Sequence, residues 1–520
     1  MTILLPVIIL ILAAATLLTV RMIRPVFRFP WLIAVGGATL AFIGVFLWHI
    51  HLPLTFSMTP WELHTISSYS PSWRVDAISW TYALSLSALA AAVIWTSVVR
   101  LESDPIPWAG TLLISALGIL AVTADNPLTL ILSWSAIDLA ELIVMLRPTS
   151  ESEQTRSVAI AFAARLAGTL LVLWAILESQ AGGTALSFDT IPPKVGIYLL
   201  VAVGLRLGVL PLHLPYKQEN ILRRGFGTTL RLVSAAASLS LLARIPSASF
   251  ASSVTPYLLI LAAIASIYAG WLWLRASDEI LGRPFWVVGV ASLSVAASLR
   301  GNPTGSIAWG LILILDGSML FLFSARQRSV LWLPLLALWG MSALPFSLAA
   351  STWQTGDNGA WFFLIPFILA QSFLMAGFIR HAIHPGETSL ESQERWTKVL
   401  YPTGLLLLAG TSTLLGVWGW SGARTFGIWW VSLAALILAV IFSTLGVTVL
   451  TRLAPDSTPN RWIGLFRLNW LYRLVTALFS FIRRITETLT ATLEGDTGLL
   501  WSLLLLALII SVLTSRGRLP

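Results

Sequence analysis

Six ionisable side chains stand inside stretches that are otherwise apolar. Asp138 and Glu141 lie in TLILSWSAIDLAELIVML, Arg165 in AIAFAARLAGTLLVLW, Arg206 in LVAVGLRLGVLPLH, Arg231 near the start of its run, and Asp316 in LILILDGSMLFLF. A charge in a spanning helix costs several kcal/mol, so it marks an ion path or a structural ion pair. Asp138 and Glu141 are three residues apart and share one broad helical face. A carboxylate can take up and release a proton. A guanidinium, with a pKa above about 12, sets the field around its neighbours and does not shuttle. Two chemistries follow: ion translocation along buried acids tuned by arginines, or mutual neutralisation between neighbouring helices. His213, at a helix end, reads as a local hydrogen-bond partner or a proton relay. No catalytic bond-making residue, metal site or cofactor is expected: the six histidines are scattered, and the absence of cysteine excludes thiolate-held clusters and disulfides.

Two of the apolar runs contain proline, Pro211 near the end of the seventh and Pro345 within the twelfth. Proline removes a backbone donor and interrupts a helix. Interrupted helices at corresponding positions of two repeats are a feature of ion sites in transporters, and these runs are five apart in order.

The elements that must position these groups are membrane spans. The 520 residues are 57% hydrophobic and 11% charged, and the mean hydropathy is +0.84. Soluble chains carry about 25% charged residues to wet their surface, so lipid is the main solvent here. At roughly 20 apolar residues per crossing, the runs predict an all-α integral membrane protein with about 14–16 transmembrane helices. The expected layout is N-terminal spans over 1–106, two five-helix stretches over 107–244 and 256–380, further spans over 399–451, an amphipathic segment over 461–492 and a last span over 497–515. The first apolar run lacks a small-residue cleavage site and reads as a retained helix. With the N-terminus outside, the loops facing the cytoplasm hold most of the Arg and Lys, including Arg21, Arg24, Arg28, Arg147, Arg156, Lys217, Arg223, Arg224, Arg275 and Arg283. The net charge of +9 is therefore assigned to orientation in the membrane, and no nucleic acid is expected as a partner. In 461–492, Arg467, Arg473, Arg483 and Arg484 recur at roughly helical spacing among apolar residues, as in a helix lying along the interface. The bland reading of that segment is a basic linker of two short helices.

Together these residues resemble the large antiporter-like membrane subunits of respiratory complex I, of Mrp-type cation/proton antiporters and of membrane-bound hydrogenases. The resemblance is carried by WRVDAIS (73–79), DNPLTLILSW (125–134), Arg165, GLRLGVLPLHLP (204–215), WGMSALPFSLAA (339–350) and the C-terminal amphipathic segment with its following span. It implies two inverted five-helix repeats with broken helices, a Glu–Lys pair between the fifth and seventh spans, and a midplane line of Lys and His. It also implies partners among other membrane subunits and the lipid bilayer, in the plasma or inner cell membrane. The function it implies is proton or cation translocation within a redox-driven complex such as an NADH- or ferredoxin-quinone oxidoreductase.

The chain departs from the family where the charges stand. The Glu position falls on Ser135, with Asp138 and Glu141 one and two turns on; the seventh-span Lys is Arg206; the eighth-span charge falls on or beside Arg231. The eleventh-span charge falls near Gly317 or Ser318, beside Asp316; the twelfth-span charge falls near Trp353 and is missing; the residue after Pro345 is Phe346. Three functions stay open. The chain is a conducting subunit, a non-conducting scaffold of the same fold, or part of an autonomous antiporter or inorganic-carbon uptake system.

Overall fold

In hydrocarbon no water is available to satisfy a backbone, so apolar runs must hydrogen-bond within themselves. In the computed structural model they do so as α-helices. The structure describes residues 2–23, 29–58, 70–100, 105–146, 152–213, 222–354, 364–384, 386–419 and 427–444, with eight isolated positions beyond them. Among these residues the helices are α1 (Leu5–Ile23), α2 (Pro30–Leu47), α3 (Ala77–Thr96), α4 (Ile106–Val122), α5 (Pro127–Leu146), α6 (Ser152–Ala181), α7 (Pro193–Leu207) and α8 (Arg224–Leu242). They continue as α9 (Thr255–Arg275), α10 (Glu279–Leu299), α11 (Pro303–Leu322), α12 (Trp332–Met341), α13 (Leu364–Ile383), α14 (Arg395–Leu414) and α15 (Trp429–Thr444). Among the described residues eleven helical stretches are long and apolar enough to cross a membrane, and the chain is a multi-pass membrane protein. The twelfth apolar run, which holds Pro345, is helical only to Met341, and α10 takes in Glu279 and Arg283 at its start. Arg283, counted as a loop charge from the sequence, is fully buried inside α10.

The chain up to Asn460 forms one unit and Arg461–Pro520 a second. The expected amphipathic segment and last span belong to the second and lie almost wholly outside the described residues. The eight isolated positions, among them Arg473, Arg483, Arg484 and Leu506, are helical and exposed, and Arg483 pairs with Glu487 one turn on.

Burial runs from the centre outward. α11 is buried all round and α3 and α8 nearly so. The faces of α3 and α8 are rich in Ala and Ser, which lets helix backbones approach closely. Outer helices expose apolar stripes at helical spacing instead, such as Leu166, Leu170, Leu173 and Leu177 on α6 and Trp429, Leu433, Ile437 and Ile441 on α15. Exposed leucine rows of that kind suit lipid rather than water.

Short-range signals set the helix starts. Proline opens α2, α4, α7, α9 and α11, where its missing N–H is no loss. Asp278 caps α10 through the amides of Ile280 and Leu281, and Asn302 caps α11 through that of Gly305. Asp76 caps α3 in a reciprocal box with Ser79. Two small sheets tie loops together: β1 (Leu54–Ser57) with β2 (Ser72–Val75), antiparallel, and β3 (Ala325–Arg326) with β4 (Thr388–Ser389), parallel.

Loop-to-loop ion pairs join connections of like parity, as alternate crossing requires. Asp76 before α3 holds Arg244 after α8 at 2.9 Å, and Arg74 pairs with Asp189. At the other end Glu279 takes Arg224 and Arg326, each at 2.9 Å, and Glu387 takes Arg224 at 2.7 Å. Burial pushes the Asp76 carboxyl up, but the charge of Arg244 and the hydrogen bonds from Ser79 outweigh it and hold it below the usual carboxylate value of 3.8. A depressed folded-state pKa contributes stability that is present above the unfolded value and lost as pH falls through the folded one. Asp76→Asn is therefore expected to lower the thermal midpoint at pH 6, and the gap to the unsubstituted chain should close as the pH drops below about 3.8. A gap unchanged by acid would contradict this.

Candidate functional site

The spacing on α5 decides what the site can be. Trp134, Asp138 and Glu141 follow one another at i, i+4 and i+7 and are buried, whereas Ser135 is exposed. The position where the resemblance put the family's glutamate thus faces away from the bundle in this chain, and the acids stand where the helix turns inward. Trp134 is fixed by its indole N–H on the Ala237 carbonyl of α8, at 3.2 Å.

Three helices bring arginines to these acids. Arg206 of α7 grips Asp138 with both terminal nitrogens, at 2.6 and 2.9 Å. That bidentate geometry is the strong form of an Arg–carboxylate pair. Its guanidinium lies 4.1 Å above the Trp134 ring, and it also donates to Ser238 at 3.3 Å and Thr169 at 3.2 Å. Arg165 of α6 stands 3.6 Å from Asp138 and donates to Glu141. Arg231, two turns into α8, donates to the other oxygen of Glu141 at 2.5 Å. The order Arg206–Asp138–Arg165–Glu141–Arg231 is a chain of alternating charge across α5, α6, α7 and α8, every member at most 7% exposed.

Gly168 makes this crossing possible. A Cβ there would stand 2.7 Å from both the Ala202 carbonyl oxygen and Cγ of Arg206. The bare backbone of α6 lets the Arg206 stem pass between the helices.

The chain of charges sits beside a helix end. α7 stops at Leu207, and Gly208 adopts φ 76°, a left-handed cap that only glycine takes at no steric cost. The amides of Val209 and Leu210 both turn back to the Gly204 carbonyl, at 2.8 and 3.1 Å. Pro211 follows this end, and the His213 ring meets the Pro211 carbonyl at 2.9 Å, a local contact. A second helix end with left-handed residues lies at α12. After Met341 the chain turns through Ala343 and Phe346, both with left-handed φ (58° and 63°), with Pro345 between them. The loose end is held by Asn302, whose amide donates to the carbonyls of Ser351 and Thr352.

Asp316 is not a member of the charge chain. It is 1% exposed in the middle of α11, accepts from Ser412 of α14 at 3.3 Å through Oδ1, and has no partner for Oδ2 among the described residues. Its open oxygen faces Gly340, the second-last residue of α12. Trp353, near which the missing twelfth-span charge falls, donates to Gln371 at 2.9 Å. Among the described residues no His, Cys, Asp or Glu cluster could hold a metal.

Sequence reading passed over the second ion network, that of Glu279, Arg224, Arg326 and Glu387. Each stands at a helix end or in a loop, where a charge is ordinary; the signal available was Glu279 directly after the Asp278 cap at the start of a long apolar run.

No family model and no curated protein matches the sequence. Similarity in structure is extensive. The Mrp complex from Dietzia sp. DQ12-45-1b matches at a TM-score of 0.72 and 16% identity over 100% of this chain, which spans 63% of the length of that one. The archaeal membrane-bound sulfane sulfur reductase matches at 0.67 and 11% identity, covering 98% of this chain and 100% of the other. Respiratory complex I from Thermus thermophilus matches at 0.61 and 17% identity, covering 85% and 99%. The chain shares its fold with the matched chains of these complexes.

Proposed function

We propose that this chain is a proton- or cation-translocating subunit of a multi-subunit, redox-linked membrane complex of the plasma or inner cell membrane. The observation that carries the proposal is the alternating chain from Arg206 to Arg231, buried among the helices and abutting the end of α7 at Gly208. Buried charges cost too much to be retained in hydrocarbon without a use. A row of alternating pairs can exchange partners when one helix shifts: Arg165 already lies within 4 Å of both acids, so a small movement hands it from Glu141 to Asp138. Such a step changes the field on each carboxylate and so its hold on a proton. Other membrane subunits would supply the driving force.

A second reading is favoured by one feature. Arg206 stands where the resemblance places a lysine, and arginine does not give up its proton. On that reading the pairs are permanent and the chain is a scaffold within the membrane arm.

Proton movement by the assembled complex and by the isolated chain, each in liposomes with a pH-sensitive dye, separates the possibilities. Translocation is expected only in the complex, and Asp138→Asn and Arg206→Ala should each lower it. Unchanged pumping in both variants would leave the scaffold reading, and flux through the isolated chain would identify an autonomous antiporter.

A further inference from the structure

Helices α2 and α14 both pack on α3. At their starts Trp31 of α2 and Trp396 of α14 meet edge to face, with 6.3 Å between ring centres. Trp95 of α3 joins both helices there. Its indole N–H donates to Thr39 of α2 at 3.1 Å, and Gly404 of α14 lies against its Cβ. Beyond these tryptophans the two helices leave a groove of about 340 Å³ between them. Leu84 of α3 forms its floor, and Phe46 of α2 and the stripe from Thr403 to Leu414 of α14 form its walls.

The groove has the chemistry of hydrocarbon. Among the described residues no charged side chain lines it, and its polar side chains are Thr403 and Thr411. Both hydroxyls donate within their own helix, to the carbonyls of Leu400 and Leu407 at 2.7 and 2.8 Å, so a polar ligand finds no donor. Phe46 and Leu406 are 42% and 48% exposed, which makes the groove continuous with the apolar surface that faces lipid. Gly410 borders open space: a Cβ added there would meet no atom within 4 Å.

We propose that this groove holds one acyl chain of a membrane phospholipid. Length and girth agree on that occupant. From Thr403 to Leu414 the helix advances roughly 16 Å, the depth of one leaflet of a hydrocarbon core about 30 Å thick. Over that length the space averages roughly 20 Å² in section, which suits a single extended chain and excludes a helix about 10 Å across. The site is independent of whether the chain moves protons.

The test is labelling of the full chain, in its native membrane vesicles, by a phospholipid carrying a photoreactive diazirine in mid-chain. The expected result is enrichment of label on Phe46 and on peptides covering 403–414, relative to the lipid-facing leucines of α6 and α15. Gly410→Phe, which fills the groove, should cut that labelling several-fold. Gly36→Phe should leave it unchanged, because it adds the same ring at an exposed glycine of α2 that also has nothing within 4 Å. Even labelling of every exposed apolar stripe would mean a surface wetted by mobile lipid and overturn the proposal. So would undiminished labelling of 403–414 in folded Gly410→Phe. Labelling of the purified chain but not of the chain in its membrane would also overturn it, since a neighbouring subunit's helix would then cover the groove.

Discussion

Replacing Glu141 by glutamine is expected to destabilise the folded chain by about 3–5 kcal/mol, the range for removing one partner of a buried ion pair. The reason is its place in the chain of charges. Glu141 receives Arg165 on one oxygen and Arg231 on the other, at 2.5 Å for the latter, and is 1% exposed. Glutamine keeps the shape but removes the charge that both guanidiniums use, and half of its amide presents donors to donors. Asp138→Asn should cost less. Arg206 would still stack on Trp134 and hydrogen-bond Ser238 and Thr169, while Arg165 would keep Glu141. Thermal or denaturant unfolding in detergent gives the ranking directly. The double variant Glu141→Gln/Arg231→Gln should lose less than the two single losses added together, since both changes remove the same ion pair. A Glu141→Gln chain within about 1 kcal/mol of the unsubstituted one would mean that the pairs are solvated, and the account of a dry, alternating row would fail.

What could be read from the sequence was type and order. Charges in apolar runs stand out because hydrocarbon tolerates so few of them, and Pro211 and Pro345 lie just beyond helix ends, at Leu207 and Met341. Helical periodicity put Asp138 and Glu141 on one side of α5. What periodicity cannot supply is which neighbour faces that side. Asp138 takes its bidentate partner from α7, whereas Glu141 takes Arg231 from α8, a division set by how four helices cross. Gly168 gives no hint of its part either, because the contact it permits is with a residue 38 positions away. Arg283 and Glu279 were lost for another reason: hydropathy trims charged residues from the ends of spans, while the physical helix α10 begins one turn earlier. The resemblance placed the acid at position 135, and only the rotation of α5 explains why this chain carries it at 138 instead.

The contrast between the two kinds of buried acid leads to the sharpest functional expectation. Asp316→Asn should leave the chain as stable as before, or more so, and should reduce proton translocation by the assembled complex to near background. Among the described residues no cation pairs with Asp316, so its substitution strands no arginine. Asparagine keeps the volume and can still accept from Ser412, and it spares the interior a carboxylate without a counter-charge. What it removes is the ability to take up and release a proton. The free oxygen looks onto Gly340, one residue from the end of α12, where the chain departs into the turn at Ala343 and Phe346. A Cβ on residue 340 would stand 2.9 Å from that oxygen, so the carboxyl packs directly against the bare backbone of this helix end. Measured side by side in liposomes, Glu141→Gln should lose stability and pumping together, while Asp316→Asn loses pumping alone. Full pumping with asparagine at 316 would remove this residue from the path and leave the paired acids of α5 as the sole candidates.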